Sequence, residues 1–268
     1  MKNRLRKLAI IVLIVIFLCA ICLVIRHMLD YRHAEQSNSK AQNIVGATFS
    51  TIVAPSDNPA SSPADPTDGV QTSDECTPYL QQLDIRALQK VNPDVIGWIY
   101  IPNTNINYPL LHAEDNNAYL HTTWDGNDNT AGSIFLETCC SPDLQDFNTI
   151  IYGHNMRNGS MFAALKHYRD YDYYKAHPYV YIVTADAVYR YEVFSSYEAG
   201  VTTDTYRLRF TKDEKEQSLH YYINSSVWEA ALTPSTDDFI LTLSTCTGNG
   251  KYETRWVVQA ALNGKWDR

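Results

Sequence analysis

The sequence lacks a Gly-rich phosphate loop, an internal repeat and any excess of basic charge. The first two absences give no support to a nucleotide-binding loop or a repeat architecture. Because the whole chain carries −8 and residues 1–33 carry +5, the remainder carries −13. Nucleic-acid binding needs a basic face, so this balance argues against nucleic acid as a partner. It is compatible with cationic or amine-bearing partners.

Cysteine is also scarce, with six in the chain. Cys19 and Cys22 lie in an apolar run, and the other four thiols are too few for a disulfide framework in a long exported chain. A bridge between the adjacent Cys139 and Cys140 would be strained, whereas a link from Cys76 to one of them stays an alternative. No second Cys or His pair stands at ligand spacing, so no metal site is predicted.

The long apolar run is Leu8 to Ile25, which is eighteen residues. As a helix it spans roughly 27 Å, close to the thickness of a bilayer core. The basic residues before it, Lys2, Arg4, Arg6 and Lys7, predict a cytoplasmic N-terminus and an extracellular remainder. A cleaved signal peptide is the alternative, but no A-x-A site surrounds Ala20. We therefore predict an uncleaved, single-pass membrane anchor.

Composition then divides the chain into three parts. Residues 1–33 are the predicted cytoplasmic tail and transmembrane anchor. Residues 34–75 are rich in Ser, Asp, Asn, Pro, Thr and Ala, with Phe49 as their single aromatic residue. Such a segment buries too little apolar surface to offset its ordering entropy, which predicts a disordered extracellular tether. Residues 76–268 are the predicted catalytic domain.

Strands dominate this third part. Helices are predicted for 77–91, 160–168 and 212–228, the last of which begins with Thr211 and Glu214 in capping-box spacing. Residues 184–187 are predicted to form a hairpin turn. Apolar or alternating runs predict strands at 97–101, 106–111, 132–136, 149–152, 179–183, 188–197, 239–244 and 256–262. Eight strands with few, peripheral helices indicate a mostly antiparallel β-barrel.

Two of these strands bring together a thiol and a cation. Cys246 ends an apolar strand in Thr-Leu-Ser-Thr-Cys, and Arg255, nine residues later, begins the next strand. A cysteine in this position is most often a small buried residue. Here hydroxyl residues surround it, however, and an unpaired arginine is costly to bury. The sequence therefore predicts a thiol nucleophile with a fixed cation at its side.

A histidine follows a third strand. His154 stands in Ile-Ile-Tyr-Gly-His-Asn, where Gly153 and Asn155 mark a sharp turn that lets the imidazole point off the sheet. A solvated turn histidine is the simpler interpretation. The other candidates do not follow a strand so directly, and we assign them structural roles: His112, His121, His167, His177 and His220.

The motifs Tyr-Gly-His-Asn-Met at 152–156, Thr-Leu-Ser-Thr-Cys at 242–246 and Arg-Trp-Val-Val from Arg255 resemble the signature set of the sortases, in particular class B. Supporting motifs are Gly-Trp-Ile at 97–99, Asn-Tyr-Pro at 107–109, Asp-Asn-x-x-Tyr-Leu at 115–120 and Gly-Ser-Ile-Phe-Leu at 132–136. The resemblance covers roughly residues 77–262 and includes the helical insertion before the cysteine strand. Separated motifs in the right order are more specific than any one of them.

The resemblance implies a closed, eight-stranded sortase-type barrel and a cysteine transpeptidase of Gram-positive bacteria. Cys246 would attack the carbonyl of a Thr–Gly or Thr–Asn bond in the C-terminal sorting motif of a secreted protein. His154 would protonate the leaving amine, and Arg255 would hold the substrate and stabilise the oxyanion. The thioacyl enzyme would then transfer the protein to an amine of the peptidoglycan precursor. This chemistry requires no metal or organic cofactor.

The same resemblance implies a peptide-binding groove. Its predicted residues are Asn116, Leu120, Tyr152, Tyr206, Ser244 and Thr245, the last also through its backbone amide. Each has a simpler interpretation, since Leu120 and Tyr152 fit a core and Asn116 fits a turn. The pair Cys139–Cys140 departs from the family pattern and has no explanation in it.

Three alternatives remain at this point. A papain-type or cell-wall cysteine hydrolase usually has its cysteine before its histidine, at the start of a helix, which is the reverse of this chain. A pilin-polymerising sortase would keep the chemistry and use a lysine amine, but residues 34–75 lack the aromatic plug of a lid. A non-catalytic membrane-tethered β-domain would give no reason for Cys, His and Arg to converge.

Overall fold

The computed structural model describes residues 2–47, 76–248 and 253–268. Helix α1 (Lys2–Val45) contains the apolar run. From Ile10 to Ile25 its large apolar side chains are exposed by 38% or more, so the barrel does not cover them. By length and composition this helix fits the predicted membrane anchor.

The second half of α1 differs from the predicted tether. The helix continues to Val45, and Ala34, Ala41, Val45 and Ala47 are buried against the barrel. Average composition favours disorder here, but these small apolar side chains find a preformed surface on which to pack. The rest of the predicted tether, residues 48–75, lies outside the described residues.

Two short helices replace the single helix predicted for 77–91. Helix α2 (Thr77–Leu80) and helix α3 (Ile85–Gln89) are separated by a turn. The Asp84 side chain accepts a hydrogen bond from the amide of Ala87 at 3.0 Å and caps α3. The amide of Asp84 also donates to the Val45 carbonyl at 3.1 Å, so the turn is fixed to the end of α1.

The described residues contain eight strands in one closed barrel, in the order β1-β2-β3-β4-β7-β8-β6-β5. β2 pairs with β3 and β4 with β7 in parallel, and the other neighbours are antiparallel, which confirms the predicted mostly antiparallel barrel. The strands are β1 (Val95–Tyr100), β2 (Asn107–Leu111), β3 (Ile134–Leu136), β4 (Asn148–Tyr152), β5 (Tyr179–Val183), β6 (Ala187–Gly200), β7 (Ile240–Cys246) and β8 (Thr254–Asp267).

The apolar runs form strands because many of them are buried on both faces. In β1, Ile99 belongs to the barrel interior, to which every strand contributes. Its neighbours Trp98 and Tyr100 pack outward in a second cluster with residues of α1, α2 and α3. On the opposite side, Val257 of β8 and Ile240 of β7 are covered by a third cluster that includes α5.

Two connections agree with their predictions. In the β5–β6 turn, the Thr184 amide donates to the Ala187 carbonyl at 2.8 Å. Helix α5 (Lys212–Ser225) begins with the predicted capping box of Thr211 and Glu214. It ends three residues earlier than predicted, because the amide of Val227 donates to the Ser196 carbonyl and draws the chain onto β6.

Three more helical segments complete the domain. A 3₁₀ helix, Phe162–Arg169, takes the place of the α-helix predicted at 160–168. Helix α4 (Tyr171–Ala176), which was not predicted, follows Asp170, whose side chain caps it. A short 3₁₀ turn, Asp204–Tyr206, precedes α5.

Candidate active site

The predicted Cys, His and Arg meet at one rim of the barrel because of the strand pairing. β4 and β7 are parallel, with Tyr152 opposite Ser244, so their carboxyl ends reach the same edge. His154 follows Tyr152 by two residues, and Cys246 follows Ser244 by two residues. β8 runs back antiparallel to β7 and places Arg255 opposite Cys246.

Cys246 is the last residue of β7 and is exposed. Its carbonyl accepts a hydrogen bond from Asn155 Nδ2 at 2.8 Å. One residue earlier in the strand, Thr245 Oγ1 donates to the Gly153 carbonyl at 2.7 Å, and the Gly153 amide donates to the Ser244 carbonyl at 3.2 Å. These hydrogen bonds join the end of β7, which carries Cys246, to the turn that carries His154. The backbone therefore fixes the two residues relative to each other.

His154 is partly buried, and its ring has a fixed partner. Its Nε2 lies 2.7 Å from the carbonyl oxygen of Leu120. A carbonyl only accepts, so the neutral imidazole carries its proton on Nε2 and leaves Nδ1 as the basic nitrogen. The ring of His121 stacks on His154, with centroids 5.7 Å apart and planes 17° apart.

These surroundings lower the pKa of His154 below its ordinary value of 6.5. Burial is the largest cause, and the positive potentials of His121 and Arg255 add to it, whereas the bond to Leu120 acts in the opposite direction. The histidine is thus held neutral more strongly than a solvated one. His121, which was predicted to be structural, contributes to the electrostatics of the site.

Arg255 is partly buried, and its Nη1 donates to the Thr254 carbonyl at 3.1 Å. Burial lowers the pKa of His154 and raises that of Tyr206, and the positive charge of Arg255 acts to lower both. Opposite residues of an antiparallel pair have their Cβ atoms about 4.5–5.5 Å apart. The register therefore places Cys246 and Arg255 at neighbouring positions on the rim.

A pocket of about 220 Å³ opens at this rim. It contains the three predicted catalytic residues and five of the six predicted groove residues. Its lining is Asn116, Asn117, Leu120, Phe135, Tyr152, Gly153, His154, Ser244, Thr245, Cys246 and Arg255. The sequence analysis did not select Asn117, Phe135 or Gly153.

Tyr206 is not among the lining residues, but it contacts one of them. Its hydroxyl and Ser244 Oγ share a hydrogen bond of 2.9 Å. Burial raises the pKa of Tyr206 to about 12, although Ser244 and Arg255 act to lower it. The phenol therefore stays neutral and supports Ser244 from behind the pocket wall.

Glu137, next to the pocket, is a further residue that was not predicted from the sequence. Both carboxylate oxygens accept from Asn116 Nδ2 at 2.8 Å, and one of them accepts from the Tyr152 hydroxyl at 3.0 Å. Asn116 Oδ1 accepts in turn from the Thr138 amide at 2.9 Å. Burial, followed by the Glu137 charge, raises the pKa of Tyr152. Glu137 comes directly after the Gly-Ser-Ile-Phe-Leu motif, which is the signal that could have found it.

The remaining cysteines lie elsewhere. Cys139 is exposed and Cys140 is buried, and neither lines the pocket. None of the six cysteines, all of which lie in the described residues, forms a disulfide, so the alternative bridge from Cys76 is absent. Burial raises the pKa of the Cys140 thiol to about 12, which suits an inert core residue.

Comparison with known proteins identifies the family to which this barrel belongs. A family model described as a sortase domain matches residues 99–263, and the chain therefore belongs to the sortase family, whose members are cysteine transpeptidases. Its relatives place it in class B. It is 40% identical to sortase B of Listeria monocytogenes over 183 residues, which are 67% of this chain and 74% of the relative.

Solved structures of sortase B have the same fold as this chain. Sortase B from B. anthracis, in complex with AAEK1, has a TM-score of 0.68 and 31% identity, covering 88% of this chain and 98% of that chain. A sortase B–substrate complex from Staphylococcus aureus has a TM-score of 0.63 and 29% identity, covering 67% of this chain and 84% of that one. The closed sortase-type barrel predicted from the motifs is thereby confirmed.

Proposed function

We propose that this chain cleaves the Thr–Gly or Thr–Asn bond of a C-terminal sorting motif in secreted proteins and transfers them to a cell-wall amine. The observation that carries the proposal is the shared rim: Cys246 opposite Arg255 in the β7–β8 register, with His154 lining the same pocket. Membership of the sortase family supplies the reaction class.

In the first half-reaction, the Cys246 thiol passes its proton to Nδ1 of the neutral His154, and the resulting thiolate attacks the carbonyl carbon of the threonine. Arg255 stabilises the oxyanion that forms, together with the backbone amide of Thr245. The C–N bond then breaks as the protonated His154 gives its Nδ1 proton to the leaving amine. The products are a thioester on Cys246 and a released C-terminal fragment.

The second half-reaction reverses these roles. The incoming amine attacks the thioester carbonyl and loses a proton to Nδ1 of His154. The C–S bond breaks, and the thiolate of Cys246 returns. An amide joins the secreted protein to the acceptor. No step needs a metal or an organic cofactor, since the side chains of the rim supply the nucleophile, the proton and the cation.

We assign the pocket wall to the sorting peptide. Tyr152 and Leu120 supply apolar surface, and Ser244, supported by Tyr206, supplies a hydroxyl at the reacting end. Asn116 has its Nδ2 and Oδ1 engaged by Glu137 and Thr138, so it presents a fixed amide to the substrate. A pre-positioned wall of this kind lowers the ordering cost of binding an extended peptide.

The orientation of the membrane anchor determines on which side of the membrane the barrel lies. We propose that α1 crosses the cell membrane with its N-terminus in the cytoplasm, because Lys2, Arg4, Arg6 and Lys7 precede the apolar run. The barrel then lies outside, where secreted proteins and peptidoglycan precursors meet. Labelling of Cys139, an exposed thiol of the barrel, by a membrane-impermeant reagent in whole cells tests this orientation. Labelling only after lysis would contradict it.

The function itself is tested with the full-length chain in detergent and quenched-fluorophore peptides of the NPxTN, SPxTG and LPxTG types. Each peptide is offered with no amine, with a peptidoglycan-like amine, or with a lysine side-chain amine. The proposal predicts cleavage of at least one peptide and a ligated product with the peptidoglycan-like amine. Ligation to lysine alone would indicate pilin polymerisation, and cleavage without any ligation would contradict transpeptidation.

A further inference from the structure

Helix α1 binds a barrel loop through hydrogen bonds and an ion pair. The loop, residues 119–133, connects the pocket wall to β3. Trp124 Nε1 donates to the Ser37 carbonyl at 2.8 Å, and Ser37 Oγ donates to Asp125 Oδ1 at 2.7 Å. Lys40 Nζ lies 2.9 Å from Asp125 Oδ2. The Asp125 side chain is only 9% exposed whereas Lys40 is 55% exposed, so the bond from Ser37 is better shielded from water than the one from Lys40.

A second set of contacts holds the same loop nearer the membrane. Asn129 Nδ2 donates to the Asp30 carbonyl at 2.9 Å, and Thr130 Oγ1 donates to Asp30 Oδ2 at 3.0 Å. Together the two sets bind the loop along α1 from Asp30 to Lys40. The helix that contains the predicted membrane anchor therefore also packs against the barrel domain through its second half.

Hydrogen bonds within the loop connect its tip, residues 123–127, to its base near His121 and Asn129, so a displacement of the tip is transmitted to the base. The Thr123 amide donates to the Asn127 carbonyl at 2.9 Å, across a turn in which Gly126 has φ +86°. At the base, the Asn129 amide donates to the His121 carbonyl at 2.9 Å. A Cβ atom at Gly132 would overlap the carbonyl oxygen of Leu120, so the base is packed tightly as well.

That base is where His154 is held. The Leu120 carbonyl accepts from its Nε2, and the His121 ring stacks on its imidazole. Both of these contacts to His154 thus come from the loop that is bound to α1. Hydrogen bonds to Ser37, Lys40, Thr123 and Asn127 outweigh burial and hold the pKa of Asp125 at about 2, so the tie persists across the working pH range.

We propose that Asp125 is a positioning residue: by tying the 119–133 loop to α1, it fixes the Leu120 carbonyl and thereby the orientation and Nε2–H tautomer of His154. Full activity then requires the docked, membrane-proximal half of α1. This inference rests on the proposed catalytic role of His154, but its structural part is independent of any substrate.

The test uses the full-length chain in detergent micelles with two readouts. ¹⁵N NMR of the histidine side chains reports the His154 tautomer, with the His154 signals assigned from a His154→Gln sample. Peptide cleavage gives kcat and KM separately. The variants are Asp125→Ala, Asp125→Asn and Ser37→Ala. Asp186→Asn, which breaks an exposed ion pair with Arg86 on the β5–β6 turn, is the matched control.

For Asp125→Ala we expect the Nε2–H signal to give way to a mixture of tautomers. We also expect kcat to fall about 10- to 100-fold, as a misplaced catalytic group does, with KM changed less than about twofold. Asp125→Asn retains an acceptor oxygen for Ser37 and Thr123, so it restores most of kcat. Ser37→Ala removes one hydrogen bond, which lowers kcat by about two- to fivefold. Asp186→Asn leaves both readouts unchanged.

Three results overturn the inference. One is a Nε2–H tautomer that persists in Asp125→Ala, and another is a fall in activity carried by KM alone. If Asp125→Ala does not fold, Ser37→Ala decides, and an unchanged tautomer and kcat in that variant refute the proposal. If the wild type cleaves no peptide, the proposed function fails, whereas the tautomer comparison still decides the role of Asp125.

Discussion

Cys246 and Arg255 stand directly opposite each other in the antiparallel β7–β8 pair. Side chains at such positions share one face of the sheet. Backbone register thus places the Cβ atoms of the two residues next to each other at the rim, before any side-chain interaction is considered. Because the strands fix both backbone positions, a substitution at Arg255 changes the cationic group without moving Cys246.

The arginine is expected to act through its planar fork. Arg255→Lys keeps the charge and loses the bidentate donor geometry, so we predict a fall in kcat of about 10²–10³-fold, the usual cost of an oxyanion donor. Steady-state cleavage of the sorting peptide measures it. Arg86→Lys, at an exposed ion pair with Asp186, is the control and should keep full activity. Near-wild-type kcat in Arg255→Lys would remove Arg255 from the catalytic set.

Glu137 is expected to stabilise both the fold and the groove. In Glu137→Ala, Asn116 Nδ2 and the Tyr152 hydroxyl lose their acceptor. We predict a loss of about 1–3 kcal/mol in unfolding free energy and a raised KM, because both partners line the pocket. Thermal unfolding and peptide kinetics measure these effects. Glu114→Ala, at an exposed glutamate of the same segment, should change neither; an equal effect there would show that Glu137 has no special role.

The hydroxyl pair behind the pocket should behave as one unit. Tyr206→Phe and Ser244→Ala each break the 2.9 Å bond between them, so each is expected to lower kcat/KM about two- to tenfold. The double variant should then be less impaired than the product of the two single effects. Fully independent effects in this cycle would show that the bond does not contribute to catalysis.

His154 should titrate below 6.5, its ordinary value, because burial, His121 and Arg255 all disfavour the imidazolium. Replacing the stacked ring by His121→Phe keeps the packing and removes a positive neighbour, so the pKa of His154 should rise. NMR titration of the imidazole protons measures it. His167→Phe, at an exposed histidine away from the pocket, is the control. A His154 midpoint at or above 6.5 in the wild type would contradict the electrostatic account.

The same shift has a consequence for stability. With a folded pKa below the unfolded one, the unfolded chain takes up a proton first as the pH falls. The fold is therefore unaffected by His154 above about pH 6.5 and loses stability as the pH falls towards the folded pKa. His154→Gln should remove this acid sensitivity, as unfolding measured from pH 8 to pH 5 would show.

Much of the site could be predicted because its residues follow strands. Tyr152-Gly153-His154 and Ser244-Thr245-Cys246 each end a buried apolar run, and the antiparallel return of the chain fixes Arg255. Local patterns of this kind survive in any fold that pairs the strands. Glu137 also follows a strand, directly after the Gly-Ser-Ile-Phe-Leu motif, but its hydrogen-bond partners are fifteen and twenty-one residues away and become apparent only in the fold.

The parts of the fold that could not be predicted depend on tertiary contacts. The docked half of α1 is polar on average, and only the barrel surface shows which of its small residues are buried. The helix predicted at 77–91 breaks at Asp84 because the end of α1 accepts its amide. Helix α4 lacks an apolar period, and it is fixed by its Asp170 cap and by the stacking of Tyr174 on Trp228 at 4.1 Å.

The most direct test of the central claim is a mass-spectrometric search for the acyl intermediate. The wild-type chain, Cys246→Ala and Cys139→Ala are each mixed with a cleavable sorting peptide without an acceptor amine. Cys139 is the matched control, since it is also exposed but lies outside the pocket. The account predicts an acyl adduct on Cys246 in the wild type and in Cys139→Ala, and neither adduct nor cleavage in Cys246→Ala. Cleavage by Cys246→Ala, or an adduct on another residue, would contradict it.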